Sequence, residues 1–205
     1  MCIVCEKKNL DGIRELDCSH CPLVTNIPYI SGLQKLDCSN CPLLTNISHI
    51  DGLLILNCSY CPLLTNIPRI KNLRTLICSH CPLLTNIPHI NSLRYFLCSS
   101  CSLLTNIPHI NKLRDLDCSN CPLLTNIPQI DSLQYINCSQ CPNLTHIPLI
   151  NSLKTLHCYD CRSLTRIDTL ICDVRAVGCV WLNGDYNFYE SIEKLIKLQR
   201  WFKKL

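Results

Sequence analysis

A repeat of twenty residues constrains this chain more than any other feature. A pair of cysteines three residues apart, first seen at Cys18 and Cys21, recurs at every twenty-residue step to Cys158 and Cys161. From Leu33 the shared unit reads LxxLxCxxCPLLTNIxxI, and positions within a unit are numbered below from this leucine. A fixed period of this length is typical of a solenoid, so we expect each unit to form one coil.

The pattern inside one unit predicts a short strand followed by irregular backbone. Buried-type residues at positions four and six alternate with variable neighbours, the period of a strand that buries one face. Proline is frequent at positions ten and sixteen, and proline cannot donate a ladder hydrogen bond. We therefore expect one short parallel β-strand per coil, with turns and polyproline-like backbone in the second half instead of a second sheet or a helix.

The unit resembles the leucine-rich repeat, whose core is LxxLxLxxN/CxL, with cysteine here at both the third apolar position and the asparagine position. The resemblance covers about four-fifths of the chain. It implies a curved rod with the strands on its concave face and a protein partner bound there. The Ile-Pro step resembles the short bacterial type of repeat, and the wording CPLLTNIP resembles leucine-rich repeat proteins encoded by giant DNA viruses. That closer resemblance implies a host protein as the partner and the host cytoplasm as the location.

The repeat divides the chain into four segments. We expect a partial N-terminal repeat or cap over 1–12, eight repeats over 13–172, a degenerate ninth repeat over 173–186 and a basic amphipathic helix over 187–205. In the ninth repeat, Val174, Val177 and Cys179 fit positions one, four and six if one residue is inserted.

The predicted C-terminal helix begins with capping-box spacing from Asn187 to Glu190. Residues 190–205 carry five Lys or Arg against two Glu, so most of the net charge of +4 is concentrated there. We interpret this helix as a cap over the last coil, and a calmodulin-like target or a membrane-surface anchor stays open. Its apolar stripe consists of Ile192, Leu195, Leu198, Phe202 and Leu205.

Composition excludes several classes of protein. With 47% hydrophobic and 17% charged residues, the chain is too apolar for general disorder. It has no run of 18 apolar residues, and its start, MCIVCEKKNL, has no basic segment ahead of a long apolar one. We therefore expect an intracellular protein without a transmembrane segment. A net charge of +4 is too small to indicate a nucleic-acid partner.

The repeated cysteines form two ladders, at positions six and nine. Cysteine is often buried and behaves as a small hydrophobe with a weak S–H donor. We interpret both ladders as packing elements, with the position-nine thiol donating to a backbone carbonyl. The ladder thiols are Cys18, Cys21, Cys38, Cys41, Cys58, Cys61, Cys78, Cys81, Cys98, Cys101, Cys118, Cys121, Cys138, Cys141, Cys158 and Cys161.

Other interpretations of the cysteines stay open. Two C-x-x-C pairs with sixteen residues between them match the spacing of a four-cysteine zinc site. Equivalent Cα atoms of neighbouring coils would lie about 4.8 Å apart, which permits disulfides between residues i and i+20. Redox chemistry would require exposed thiols of low pKa. We predict no metal and no cofactor, and a metal-binding or redox-responsive thiol protein is the first alternative function.

The variable columns indicate where a partner would bind. Strand alternation places positions three and five on the face opposite the buried positions four and six. In the middle coils these columns turn apolar, and an apolar, aromatic-bearing patch with a polar rim is typical of a protein contact. The predicted binding residues are Ile55, Ile77, Tyr95 and Leu97, with Tyr60 beside them and Asp37, Asp115 and Asp117 at the rim.

Sequence motifs of catalysis are missing. The chain contains no Gly-rich phosphate loop, no HExxH and no nucleophile elbow. We therefore expect a non-catalytic scaffold that binds a protein on the strand face. Contact of the C-terminal helix with a membrane surface or a calmodulin-like partner is the second alternative.

Overall fold

A computed structural model describes residues 2, 4–6, 10–169, 173–176, 178 and 179. In this part the chain forms a parallel β-solenoid of about eight turns. The prediction of a repeat solenoid is confirmed. The predicted helix over 187–205 lies outside the described residues.

The main sheet takes one short strand from each coil. Its neighbours are parallel and pair in register at the twenty-residue period, as in Leu36↔Leu56 and Leu76↔Phe96. The nine strands lie in the sheet in the order in which they occur along the chain. They are β1 (Glu15–Asp17), β3 (Lys35–Asp37), β5 (Ile55–Asn57), β6 (Thr75–Ile77), β7 (Tyr95–Leu97), β8 (Asp115–Asp117), β9 (Tyr135–Asn137), β11 (Thr155–His157) and β13 (Asp173–Arg175).

The expectation that the second half of every coil lacks a sheet is wrong near both ends of the solenoid. Strands β2 (Asn26–Ile27) and β4 (Asn46–Ile47) pair in parallel, as do β10 (His146–Ile147) and β12 (Arg166–Ile167).

Position sixteen explains where these small sheets form. Most coils carry proline there, but Ser48 and Asp168 do not. The N–H of Ser48 donates to the Ile27 carbonyl at 2.9 Å, and the N–H of Asp168 donates to the Ile147 carbonyl at 3.0 Å. Proline has no N–H, so it cannot close this ladder in the middle coils.

Seven columns fill the core. Positions one, four, six, nine, twelve, fifteen and eighteen are buried in coil after coil, as Leu53, Leu56, Cys58, Cys61 and Leu64 show. Each coil thereby covers the apolar side chains of its neighbour, which no coil could bury alone.

Position eight adopts the left-handed backbone conformation in eight successive coils, with φ between 52 and 59°. This conformation costs a non-glycine residue about 1–2 kcal/mol. The backbone bond between coils offsets it: the N–H of His20 donates to the Ser39 carbonyl at 2.8 Å, and Asn40 bonds Ser59 likewise. The residue that opens each turn is therefore fixed by the neighbouring coil.

The expected register of the ninth coil is wrong. Val174 pairs with Leu156 and so holds position four instead of position one. Ala176, which is buried, then takes position six, and Cys179 takes position nine. Gly178 takes the left-handed position eight with φ of 79°. The step from Leu156 to Val174 is thus two residues shorter than the repeat, whereas the expected register made the corresponding step one residue longer. The reason is that backbone pairing, and not the spacing of apolar residues, sets the register.

Across the described residues, the structure contains no helix long and apolar enough to cross a membrane.

Candidate functional site

Four of the predicted binding residues lie on three adjacent strands. Ile55 on β5 is 37% exposed and Tyr95 on β7 is 43% exposed, with Thr75 of β6 between them in register. Ile77 and Leu97 are direct neighbours and half-buried, because a position-five side chain is flanked by its neighbours in the sheet. We call Ile55, Ile77, Tyr95 and Leu97 the strand-face patch.

In most coils the residue at position five makes a local hydrogen bond that the residues of the strand-face patch do not make. In five coils an Asp or Asn there accepts the N–H of the residue two positions later, at 2.9–3.3 Å. This is an Asx turn, which stabilises the start of the bend. Ile77 and Leu97 offer no acceptor for that bond. Two adjacent coils therefore lack a local stabilising contact and present apolar side chains instead.

The acidic rim residues are partly engaged in the fold. One carboxylate oxygen of Asp37 accepts the N–H and the hydroxyl of Ser39 at 3.0 and 2.7 Å, and the other accepts the Asn57 amide at 3.0 Å. Asp117 binds Ser119 in the same way. Asp115 pairs in register with Tyr95 on one side and Tyr135 on the other. The rim is therefore held in place at both ends of the strand-face patch.

Tyr60 lies beyond the end of β5 and stacks on His80, with ring centroids 4.2 Å apart. Its ring is 52% exposed. The structure thus places Tyr60 in the turn that follows the strand, at the left-handed position eight, and the strand-face patch occupies the strands themselves.

A second aromatic group was missed from the sequence. Tyr135 meets His157 edge-on with centroids 5.5 Å apart, and His157 lies 5.9 Å from Tyr159. Burial raises the pKa of Tyr135, and the nearby carboxylates of Asp117 and Asp115 raise it further. The signal was present in the sequence, since Tyr135 and His157 occupy positions three and five.

One lateral edge of the solenoid is basic. Two adjoining cavities of about 360 and 240 Å³ lie where the coils turn into β6 and β7. Every charged side chain among the described residues that line them is cationic. We call this set the basic edge: Arg69, Lys71, Arg74, Arg94 and Lys112. The signal for the basic edge in the sequence is the run of basic residues at position two, next to the strands.

A row of leucines at position eleven is also exposed. Its members are 40–56% accessible and recur in every coil from the first to the sixth. This leucine row belongs to the repeat itself, whereas the strand-face patch occurs in the middle coils alone. The row consists of Leu23, Leu43, Leu63, Leu83, Leu103 and Leu123.

The sixteen ladder cysteines are all buried and free. At position nine each thiol from the second coil onward donates to the position-six carbonyl of the preceding coil, for example Cys81 to Cys58 at 3.2 Å. Burial raises the pKa of Cys81 to about 12 and that of Cys38 well above its ordinary value. Burial therefore keeps the Cys81 and Cys38 thiols neutral at physiological pH. In contrast, hydrogen bonding with the position-six thiols Cys78 and Cys118 lowers the pKa of Cys101 and Cys141, although burial opposes it.

Cys21, the position-nine thiol of the first coil, has different surroundings. The Sγ of Cys5 lies 3.3 Å from the Sγ of Cys21 and 3.6 Å from that of Cys2. Although burial opposes it, the Leu23 N–H and the two neighbouring thiols lower the pKa of Cys21 to about 6. Burial and the thiols of Cys21 and Cys2 raise the pKa of Cys5 to about 12. We call Cys2, Cys5 and Cys21 the sulfur trio.

The sulfur trio was not predicted. Among the described residues it is the one group of three metal-ligating side chains whose donor atoms all lie within 4.8 Å of one another. The available signal was a C-x-x-C at Cys2 and Cys5 that is out of step with the repeat.

Comparison with known protein families gives a match for two stretches of the repeat. The family model described as Leucine Rich Repeat matches residues 32–53 and 112–130. No curated protein and no solved structure matches the chain significantly.

Proposed function

Because the coils of this chain are leucine-rich repeats, we propose that it is a non-catalytic scaffold that binds a protein partner through the strand-face patch. Repeats of this family generally mediate protein–protein interaction. The observation that carries the proposal is the replacement of the Asx-turn residue by Ile77 and Leu97 in two adjacent coils.

Stability alone does not favour these two residues. A side-chain acceptor at position five contributes about 0.5–1.5 kcal/mol as a hydrogen bond. An apolar side chain there forgoes that contribution and remains partly exposed to water. Ile55 and Tyr95 enlarge the same surface to three strands, and Asp37 and Asp115 border it. An apolar centre with a polar rim is the usual anatomy of a protein interface.

The basic edge favours a partner that carries an acidic segment. Arg74 and Arg94 lie immediately before β6 and β7, so a partner on the strand-face patch passes beside them. Complementary charge chiefly raises the association rate. We expect Arg74→Glu with Arg94→Glu to slow association about 10-fold at low salt, with a smaller effect at high salt. If the native chain and the double variant associate at equal rates at both salt concentrations, the basic edge does not belong to the interface.

The main experiment compares three forms of the chain in affinity capture under reducing conditions. The test variant is Ile77→Asp with Leu97→Asp, which restores the residue that other coils carry at position five and should preserve the fold. The control is Leu83→Asp with Leu103→Asp in the leucine row. Circular dichroism checks all three forms.

The proposal predicts a protein that binds the native chain and the control but not the test variant. Calorimetry with that purified protein should show that its affinity for the test variant is at least about 30-fold weaker than its affinity for the native chain. If the leucine-row variant loses the partner and the strand-face variant keeps it, the binding surface is the leucine row and the proposal is wrong.

A further inference from the structure

The sulfur trio does not belong to the repeat. Cys2 and Cys5 fall on positions ten and thirteen, where the eight coils carry mostly proline and always threonine. The ladder columns, extended back by one coil, would not place a cysteine at either position. A packing role that recurs with the repeat therefore does not account for these two thiols.

Local backbone brings the two thiols together. The N–H of Glu6 donates to the Cys2 carbonyl at 3.1 Å, which closes one turn over the C-x-x-C. Cys2 and Cys5 are half-buried, whereas Cys21 is 4% exposed. A C-x-x-C turn that faces a third, more distant cysteine is a common arrangement in protein zinc sites.

The distances fit a zinc ion. Tetrahedral zinc holds each sulfur at about 2.3 Å, so the sulfurs of one site lie about 3.8 Å apart. The measured separations are 3.3 Å and 3.6 Å, and the third does not exceed 4.8 Å. Shifts of a few tenths of an ångström to about one ångström would complete three ligands.

We propose that the sulfur trio binds one zinc ion through the Sγ atoms of Cys2, Cys5 and Cys21. Thiolate is the ligand that zinc prefers over harder divalent ions. Binding displaces the thiol protons to solvent and forms three zinc–sulfur bonds, with no change of oxidation state. Water would be the fourth ligand, and a cavity of about 440 Å³ opens beside Cys5, lined also by Leu23 and Asn26.

This site ties the segment around Cys2 and Cys5 to the first coil. Elsewhere the position-nine thiol meets a carbonyl of the preceding coil, but Cys21 meets sulfur. The ion would thus join Cys21 to residues sixteen and nineteen positions earlier in the sequence. It would do so at the coil where the position-nine thiol contacts sulfur instead of a carbonyl. The inference is independent of the proposed partner surface.

The test is zinc titration of the full chain, reduced and freed of metal, against a chromophoric chelator. The native chain should bind one zinc per molecule. Cys2→Ser with Cys5→Ser should weaken binding about 100-fold or more, since it removes two ligands. The matched control is Cys81→Ser, a ladder substitution that keeps a donor and should still bind one zinc ion.

Two readouts make the result decisive. Cobalt substituted for zinc should give a thiolate-to-metal charge-transfer band in the native chain and in the Cys81→Ser control, but not in the double variant. Circular dichroism shows whether each variant is folded. Equal zinc affinity of the native chain and the folded double variant would place the metal on the ladders and overturn the proposal, as would a native chain that binds no zinc.

Discussion

The interior coils and the two terminal regions of the solenoid use different contacts. In the coils of β5 to β9 one set of bonds repeats with little change, such as Cys101 Sγ to the Cys78 carbonyl at 3.2 Å. Near the start, Cys21 meets Cys5 instead. In the last coils, Asp168 accepts bonds from His146 at 2.9 Å and from Arg166 at 2.6 Å.

The comparison shows that position in the solenoid decides the chemistry of one residue type. Cys81, for example, has a coil on each side, so burial raises its pKa to about 12 and its S–H donates a hydrogen bond to the Cys58 carbonyl. Cys21 meets other thiols and a backbone N–H, and its pKa is lowered to about 6. The same repeat position therefore faces a backbone carbonyl in the interior coils and other thiols in the first coil.

The largest difference should come from placing a charge at each location. Cys98 is fully buried, so Cys98→Asp puts a carboxylate where no solvent reaches it. We expect a loss of about 4 kcal/mol or more in the free energy of unfolding at pH 7. Cys5→Asp, at a half-buried site, should cost no more than about 1 kcal/mol. Urea denaturation followed by circular dichroism measures both, and equal losses would contradict the comparison.

Alkylation should separate the same two groups of thiols. In the native chain at pH 7.5, iodoacetamide should modify Cys2, the half-buried member of the sulfur trio nearest the start of the chain, on the order of 100-fold faster than Cys58 or Cys78, whose exposure requires local opening. Mass spectrometry of digested, time-quenched samples gives the rate at each cysteine. Adding zinc should slow modification of the trio and leave the interior rates unchanged. Rapid modification of Cys58 would show that the ladders are accessible.

A smaller effect concerns the bond of one ladder thiol. Cys81→Ala removes the donor to the Cys58 carbonyl and leaves that carbonyl unpaired in the core, which should cost about 1–3 kcal/mol. Cys81→Ser retains a donor of similar size and should cost less. The urea midpoints of both variants measure the difference. If alanine is tolerated as well as serine, the thiol contributes volume and not a hydrogen bond.

The smallest effect should be a pH dependence at the last coils. A hydrogen bond from His146, and to a smaller extent one from Arg166, lowers the pKa of Asp168 below its ordinary value of 3.8. Its contribution to stability is therefore present above that value and lost as the pH falls through the lowered pKa.

Melting temperatures of the native chain and of Asp168→Asn should differ at pH 6 and converge as the pH falls through the lowered pKa of Asp168. Adding His146→Gln to Asp168→Asn should change little, because the carboxylate charge that His146 and Arg166 stabilise is already removed. A gap that persists in acid would assign the effect to another group.

Several features that were predicted wrongly had readable signals. Small second sheets form where Ser48 and Asp168 replace proline, so an N–H is available. The left-handed turn at position eight, which was not predicted from the sequence, also had a signal in its Asn, Asp and His content, since these residues tolerate that conformation. Gly178 at the same turn marks the true register of the ninth coil. Reading backbone demands beside apolar spacing would have corrected these expectations.

The sequence by itself determined the coil, the parallel strands, the buried columns and the variable face, because each is a local pattern repeated at a fixed period. The family match at residues 32–53 and 112–130 agrees with that pattern. Tertiary structure alone decided which side chains meet where the repeat is broken. The sulfur trio is such a case, because it joins thiols sixteen and nineteen residues apart. Contacts of this kind depend on the path of the backbone in space. The repeat period does not predict that path for residues, such as Cys2 and Cys5, that do not fall on the cysteine positions of the repeat.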